Sequence, residues 1–196
     1  MKLVAVSQRV DTLRERDETR DGLDHRLVIF LKAAGFIGVP VPNTLNDDGL
    51  SAFLSRLSPH AVVLSGGNTI GECSLRDLTE RFLLKFAVHN QLPVLGICRG
   101  MQMMACSAGA RLHAAEGHVA TRHNLSGEIR REVNSYHSFS VLDCPPEFHV
   151  IARSEDENIE AIRHDDRPWE GWMWHPEREK EFSDDVQGSF EMTLKA

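Results

Sequence analysis

Apolar positions along the chain change period repeatedly, and each change marks an element. Residues 2–7 are a short apolar run that predicts a strand. From Thr19 to Ala34, the residues Leu23, Leu27, Phe30, Leu31 and Ala34 recur at helical spacing, with Gly35 as a stop. Residues 36–42 predict a second strand, ended by prolines. Over 48–57, Leu50, Phe53, Leu54 and Leu57 share one helix face. Residues 61–65 (Ala-Val-Val-Leu-Ser) form a buried strand that runs into Gly66-Gly67. Residues 74–89 predict a helix with Leu75, Leu78, Phe82 and Phe86 inward. Residues 94–97 form another buried strand, which passes through Cys98-Arg99-Gly100 into a Met-rich helix reaching Ala108. Met101, Met103 and Met104 read as packing. The later part changes character, with short strands at 139–143, 148–152, 159–163 and 171–174. This order predicts an α/β domain: a mostly parallel sheet flanked by helices, with an antiparallel extension.

Length fits one domain over 1–196. With 22 Lys+Arg against 29 Asp+Glu the net charge is −7, which argues against nucleic acid polymers and anionic membranes as partners. A small anion held by a few arginines stays compatible. No apolar run has the length of a membrane span, and the N-terminus reads as a strand with no signal-peptide cleavage pattern. Cys73, Cys98, Cys106 and Cys144 form no CxxC pair, so a reduced, cytoplasmic setting is expected. His113, His118 and His123 recur at fives, which is neither a helical nor a zinc-finger spacing. They read as solvated loop histidines, and no metal is expected.

Ligands of such sheets bind beyond the carboxyl ends of the strands. Four segments leave those ends: Gln8-Arg9, Gly66-Gly67-Asn68, Cys98-Arg99-Gly100 and His175-Pro176-Glu177. Gly96-Ile97-Cys98-Arg99-Gly100 has the form G-x-nucleophile-x-G between a buried strand and a helix. Its glycines suit a turn with no room for Cβ, and the helix start favours a thiolate. The plain alternative is a buried structural cysteine. A nucleophile needs a base, and the base an orienter. His175 and Glu177, two apart, would share one face of an extended strand, with Pro176 fixing φ between them. Alone, that tripeptide reads as a surface turn.

Together, in this order and at these strand ends, the motifs resemble the class I glutamine amidotransferase superfamily, with its cysteine in G-x-C-x-G and its C-terminal H-P-E. The match runs from Lys2 to about Arg178. It implies a flavodoxin-like fold and a Cys98-His175-Glu177 triad. Arg99 and Gln102 in Cys98-Arg99-Gly100-Met101-Gln102, with Val133-Asn134-Ser135-Tyr136-His137-Ser138, resemble the γ-glutamyl-γ-aminobutyrate hydrolase branch. The chain is shorter than typical members of that branch. The N-terminal half is closer to γ-glutamyl-CDP-amidate hydrolases of capsule phosphoramidate synthesis, through Val6-Ser7-Gln8-Arg9, Arg20-Asp21-Gly22-Leu23-Asp24, Val39-Pro40-Val41-Pro42-Asn43 and Leu64-Ser65-Gly66-Gly67-Asn68.

The resemblance implies hydrolysis of a γ-glutamyl amide through a thioester, without a cofactor. It places oxyanion donors at the N–H groups of Gly67 and Arg99. Gly66, Asn68, Gln102, Ser135, Tyr136 and His137 would contact substrate, and Arg9 and Arg20 are candidate phosphate contacts. The partner implied is a small γ-glutamyl molecule, and a homodimer is compatible. Two other readings stand beside it: a glutaminase component feeding ammonia to a partner synthase, and a non-catalytic binding module.

Overall fold

A computed structural model gives the fold, with residues 1–179 described; residues 180–196 of the expected domain lie outside the described residues. The first half alternates as read. Strand β1 (Lys2–Val6) is followed by an excursion, the antiparallel hairpin of β2 (Arg9–Leu13) and β3 (Glu18–Gly22). Then come α1 (His25–Ala33), β4 (Phe36–Pro40), α2 (Asp47–Leu57), β5 (Ala61–Leu64), α3 (Ser74–Asn90), β6 (Val94–Ile97) and α4 (Arg99–Ser107). The second half is strand-rich: β7 (Leu112–Ala114), β8 (Val119–Asn124), β9 (Ser126–Gly127), β10 (Glu132–Tyr136), β11 (Phe139–Val141), β12 (Phe148–Arg153), β13 (Ile159–His164) and β14 (Trp169–Trp172).

The main sheet runs β4-β1-β5-β6-β14-β13-β11-β7, with β12 joined to β13 and β9. From β4 to β14 all neighbours are parallel; from β14 onward they are antiparallel. The expected mixed α/β sheet is therefore present. Strand alternation divides the core between its two faces. Val4, Val6, Val63, Leu95 and Ile97 pack with α1 (Leu27, Phe30, Leu31) and with Val133 of β10. Ala5, Val62, Leu64 and Val94 pack with α2, α3 and α4, and Met101, Met103 and Met104 lie buried in this layer.

Three sequence expectations need correction. Residues 19–22 are not helical; they are strand β3, and the helix begins after Asp24, whose side chain accepts from Arg26 N–H. Helix α3 presents a different face from the one its leucines suggest. Leu75 and Leu78 are 51% and 63% exposed, while Arg76, Thr79, Glu80, Leu83, Leu84 and Ala87 are buried. The buried charges neutralise one another, so polarity there does not mark the solvent side. His118 is not a solvated loop residue either: it is buried just before β8, and His123 is half-buried within that strand.

Candidate active site

The turn at Cys98 is built by exclusion. A Cβ on Gly96 would stand 2.6 Å from the Gly100 carbonyl carbon and the Met101 nitrogen. A Cβ on Gly100 would stand 2.1 Å from the Leu64 oxygen. The strand, the turn and α4 therefore close only with glycine at both positions. Cys98 itself takes φ 51°, ψ −107°, a costly conformation for a residue with a side chain, and its N–H is held by the Trp172 carbonyl at 2.7 Å. It lies at the N-cap of α4, so the first N–H groups of that helix face the same space.

His175 follows β14 and meets Cys98 from the neighbouring strand end. Its Nδ1 lies 2.6 Å from Glu177 Oε1. The expected face-sharing on a strand is not how this contact forms: β14 ends at Trp172, and Pro176–Arg178 is a single 3₁₀ turn that folds Glu177 back onto the imidazole. Burial disfavours the imidazolium, but hydrogen bonding and charge at Cys98 and at Glu177 outweigh it and push the His175 pKa up to about 9. The His175 imidazole thus holds its proton beside Cys98, with the Glu177 carboxylate fixing the ring.

Two sets of contacts fix His175 from outside. Asn134 of β10 brackets its main chain, accepting from the His175 N–H at 3.0 Å and donating to its carbonyl at 2.7 Å. On the other side a Cβ on Gly66 would stand 2.6 Å from His175 Cε1, so that loop approaches without a side chain. The loop is itself held by Arg76, which donates to the carbonyls of Ser65 at 2.7 Å, Gly66 at 3.0 Å and Gly67. Arg76 in turn pairs with Glu80 at 3.0 Å, and Arg99 pairs with Glu80 and Asp77.

The remaining expected residues divide. The Asn68 side chain is occupied with β2, exchanging hydrogen bonds with Val10 N–H at 2.8 Å and Val10 carbonyl at 2.9 Å. Gln102 is buried and donates to the Phe139 carbonyl at 2.9 Å. Ser135 donates to the His118 carbonyl at 2.7 Å, and His137 is turned toward Glu160. Both side chains are closed from solvent. Tyr136 is exposed and stands edge-on to His175, 6.0 Å between ring centroids, and the Arg178 guanidinium lies 4.7 Å from the tyrosine ring centroid. Arg9 lies beside Gly67 but pairs with Asp11 at 2.8 Å, and Arg20 pairs with Glu18 at 2.7 Å. Sequence reasoning missed Asn134 as a bracket and Arg76 and Glu80 as loop anchors. The Arg76-x-x-x-Glu80 spacing was the available signal. It also missed Arg122 and Arg178, which with Asn134 and Tyr136 line an open cavity of about 750 Å³.

The family model for glutamine amidotransferase class-I matches residues 22–185. The chain belongs to the class I glutamine amidotransferases. Among relatives, it is 32% identical over 125 residues to the γ-glutamyl-CDP-amidate hydrolase of Campylobacter jejuni, covering 61% of this chain and 62% of that protein. It is 34% identical over 158 residues to a glutamine-hydrolysing GMP synthase subunit of Methanothrix thermoacetophila, covering 75% and 87%. The fold matches a glutamine amidotransferase structure from Thermotoga maritima with a TM-score of 0.67 at 16% identity, over 99% of this chain and 96% of that one. A GMP synthase-type structure from Thermoplasma acidophilum gives 0.75 at 22%, over 100% and 94%. Among the described residues no helix is long and apolar enough to cross a membrane.

Proposed function

We propose that this class I amidotransferase hydrolyses a γ-glutamyl amide bond, with Cys98 as nucleophile, His175 as proton carrier and Glu177 as its orienter. The observation that carries the reading is the buried Cys98–His175–Glu177 contact at the start of α4, with the imidazole pKa raised to about 9. The Cys98 thiolate attacks the γ-carbonyl carbon, and the oxyanion is held by the N–H groups of Gly67 and Arg99. The C–N bond breaks as His175 passes its proton to the leaving nitrogen, and a γ-glutamyl thioester remains on Cys98. Water then adds, giving up a proton to His175, and glutamate leaves. No cofactor enters these steps.

The favoured substrate is γ-glutamyl-CDP-amidate, which would yield glutamate and cytidine diphosphoramidate for capsule modification in the cytoplasm. The Campylobacter relative supports this choice. Gly66, Gln102 and the exposed Tyr136 would hold the glutamyl part, since the side chains of Ser135 and His137 are closed from solvent. Arg9 and Arg20 would meet the diphosphate, which must compete there with Asp11 and Glu18. A γ-glutamyl-amine of the γ-aminobutyrate type is the smaller alternative substrate. Likeness to the glutamine-hydrolysing GMP synthase component over 75% of the chain favours a second reading, a glutaminase that supplies ammonia to a synthase.

Incubating the purified chain with γ-glutamyl-CDP-amidate, a γ-glutamyl-amine and glutamine separates them. Glutamate release from the nucleotide substrate by the chain alone is expected, with little from glutamine. Glutamine turnover that requires an added synthase would overturn the hydrolase reading in favour of the second.

A further inference from the structure

A second cluster of buried titratable groups lies in the antiparallel half and takes no part in the chemistry above. Its centre is Glu160 of β13, whose side chain is wholly buried. Three imidazole nitrogens face its carboxylate: His118 Nδ1 at 3.5 Å and His137 Nε2 at 3.3 Å from Oε1, and His123 Nε2 at 3.4 Å from Oε2. Neither Glu160 oxygen, nor His123 Nε2, nor His137 Nε2, has a hydrogen-bond partner among the described residues. Buried polar atoms left this way are uncommon and costly.

The outer nitrogens explain why. His137 Nδ1 lies 3.1 Å from the Phe139 carbonyl, which only accepts, so Nδ1 carries a proton and Nε2 faces inward. His118 Nε2 lies 2.9 Å from Asp156 Oδ2, so it too donates outward and turns Nδ1 toward Glu160. The Ser135 hydroxyl, 3.5 Å from that Nδ1, spends its proton on the His118 carbonyl at 2.7 Å. Inner nitrogens of three imidazoles therefore converge on a buried carboxylate, an arrangement that positive charge at the centre makes favourable.

We propose that His118, His123 and Glu160, with His137 as fourth donor, form a binding site for a divalent cation of the zinc type. Ligand atoms around a tetrahedral zinc with bonds of about 2.0–2.1 Å stand about 3.3 Å apart, and each imidazole nitrogen lies 3.3–3.5 Å from one of the two Glu160 oxygens. One donor atom from each of His118, His123 and Glu160 falls within a mutual distance of 4.8 Å. Histidine and carboxylate donors in a four-ligand set suit zinc, cobalt or nickel better than calcium or magnesium. The outer contacts of His118 with Asp156 and of His137 with the Phe139 carbonyl are those that orient metal-bound imidazoles. All four donors come from protein, which marks a structural and not a hydrolytic site. The site would clamp the β8–β10 hairpin to β13. That hairpin carries Asn134, which brackets His175.

The test uses Zn²⁺ alone on the chelator-stripped full chain carrying Cys98→Ala, which removes the thiol as a competing ligand. One equivalent should bind with Kd below about 1 µM against a competing chelator. Co²⁺ should give the visible bands of a tetrahedral site without a thiolate charge-transfer band. Glu160→Gln, added to Cys98→Ala, should weaken Zn²⁺ binding by more than about 100-fold, and Asp156→Asn by about 10–100-fold. His123→Ala, the least buried of the three imidazoles, repeats the Glu160 test if the glutamine variant does not fold. Less than a tenth of an equivalent bound, or unchanged affinity in Glu160→Gln and His123→Ala, would overturn the site. Neither outcome touches the γ-glutamyl hydrolase reading, whose nucleophile is absent from the test protein.

Discussion

Two buried polar knots stand on either side of His175, and they differ in how each carboxylate is satisfied. In the parallel half, Glu80 is met by the guanidinium groups of Arg76 and Arg99 and by the Ser7 hydroxyl at 2.8 Å. Guanidinium is always charged and offers five donors in a fixed fork, so the Glu80 carboxylate is satisfied within the protein, with Arg99 Nε the one donor left over among the described residues. In the antiparallel half, Glu160 is met by three imidazoles, and the facing nitrogens of His123 and His137 lack a hydrogen bond among the described residues. An imidazole offers one or two donors according to its protonation and can also bind a cation, so this knot has room for the ligand proposed above. The lesson is that equal burial of a carboxylate says little; the protonation pattern of its neighbours decides whether a site is structural or waiting for a ligand. Each knot supports the catalytic groups through one intermediate, the first through the Gly66-Gly67 loop and the second through Asn134.

The largest effect should come from breaking the closed knot. Glu80→Ala removes the carboxylate that two buried guanidinium groups share, leaving Arg99 only Asp77 and Arg76 only neutral partners, and should cost about 3–5 kcal/mol in urea unfolding. A loss under about 1 kcal/mol would show that Arg76 and Arg99 find other partners. Next comes the bracket that the open knot supports. Asn134→Ala leaves the buried His175 N–H unpaired, while its carbonyl keeps the Arg178 N–H at 3.0 Å, and should cost about 1–3 kcal/mol, with a fall in kcat larger than the change in KM. Equal kcat in the variant would mean that Gly66 and Glu177 alone place the ring.

A pH profile sharpens the contrast between His175 and the cluster imidazoles. The folded His175 pKa of about 9 lies above the ordinary 6.5, so its stabilising contribution is complete below about 6.5 and is lost as pH rises through about 9. Activity should fall on the same alkaline limb as the proton donor is lost. Glu177→Gln should move that limb down by about one pH unit or more. An unmoved limb would remove Glu177 from its assigned role. The smallest effect is expected at the open knot without metal. Glu160→Gln in chelator-treated protein should change stability by less than about 1 kcal/mol, since it removes a buried charge together with its desolvation cost. A loss as large as that of Glu80→Ala would make the two knots equivalent.

The sequence exposes sterically dictated features far better than electrostatic ones. The spacing of Gly96 and Gly100 around Cys98 was readable because only glycine fits where a Cβ would meet the Gly100 carbonyl carbon or the Leu64 oxygen. The His175–Glu177 contact was readable as a pair but not as a geometry, because a 3₁₀ turn and not a strand brings them together. The inward face of α3 was misread because its leucines are exposed and its arginine is buried with partners from other elements. The imidazole cluster was hidden for a different reason. His118, His123, His137 and Glu160 are brought together by antiparallel pairing among short strands, and no single segment carries the spacing. Strands β8 and β10 were themselves unread, since their sequences alternate weakly.

The central claim is that Cys98 carries the γ-glutamyl group, and mass spectrometry of acid-quenched turnover tests it most directly. The account predicts a mass increase of one γ-glutamyl group on the peptide containing Cys98, lost in Cys98→Ala together with turnover. Burial raises the thiol pKa at Cys106 and at Cys144, which keeps these two protonated and unreactive. An adduct on Cys73, Cys106 or Cys144, or undiminished turnover in Cys98→Ala, would contradict it.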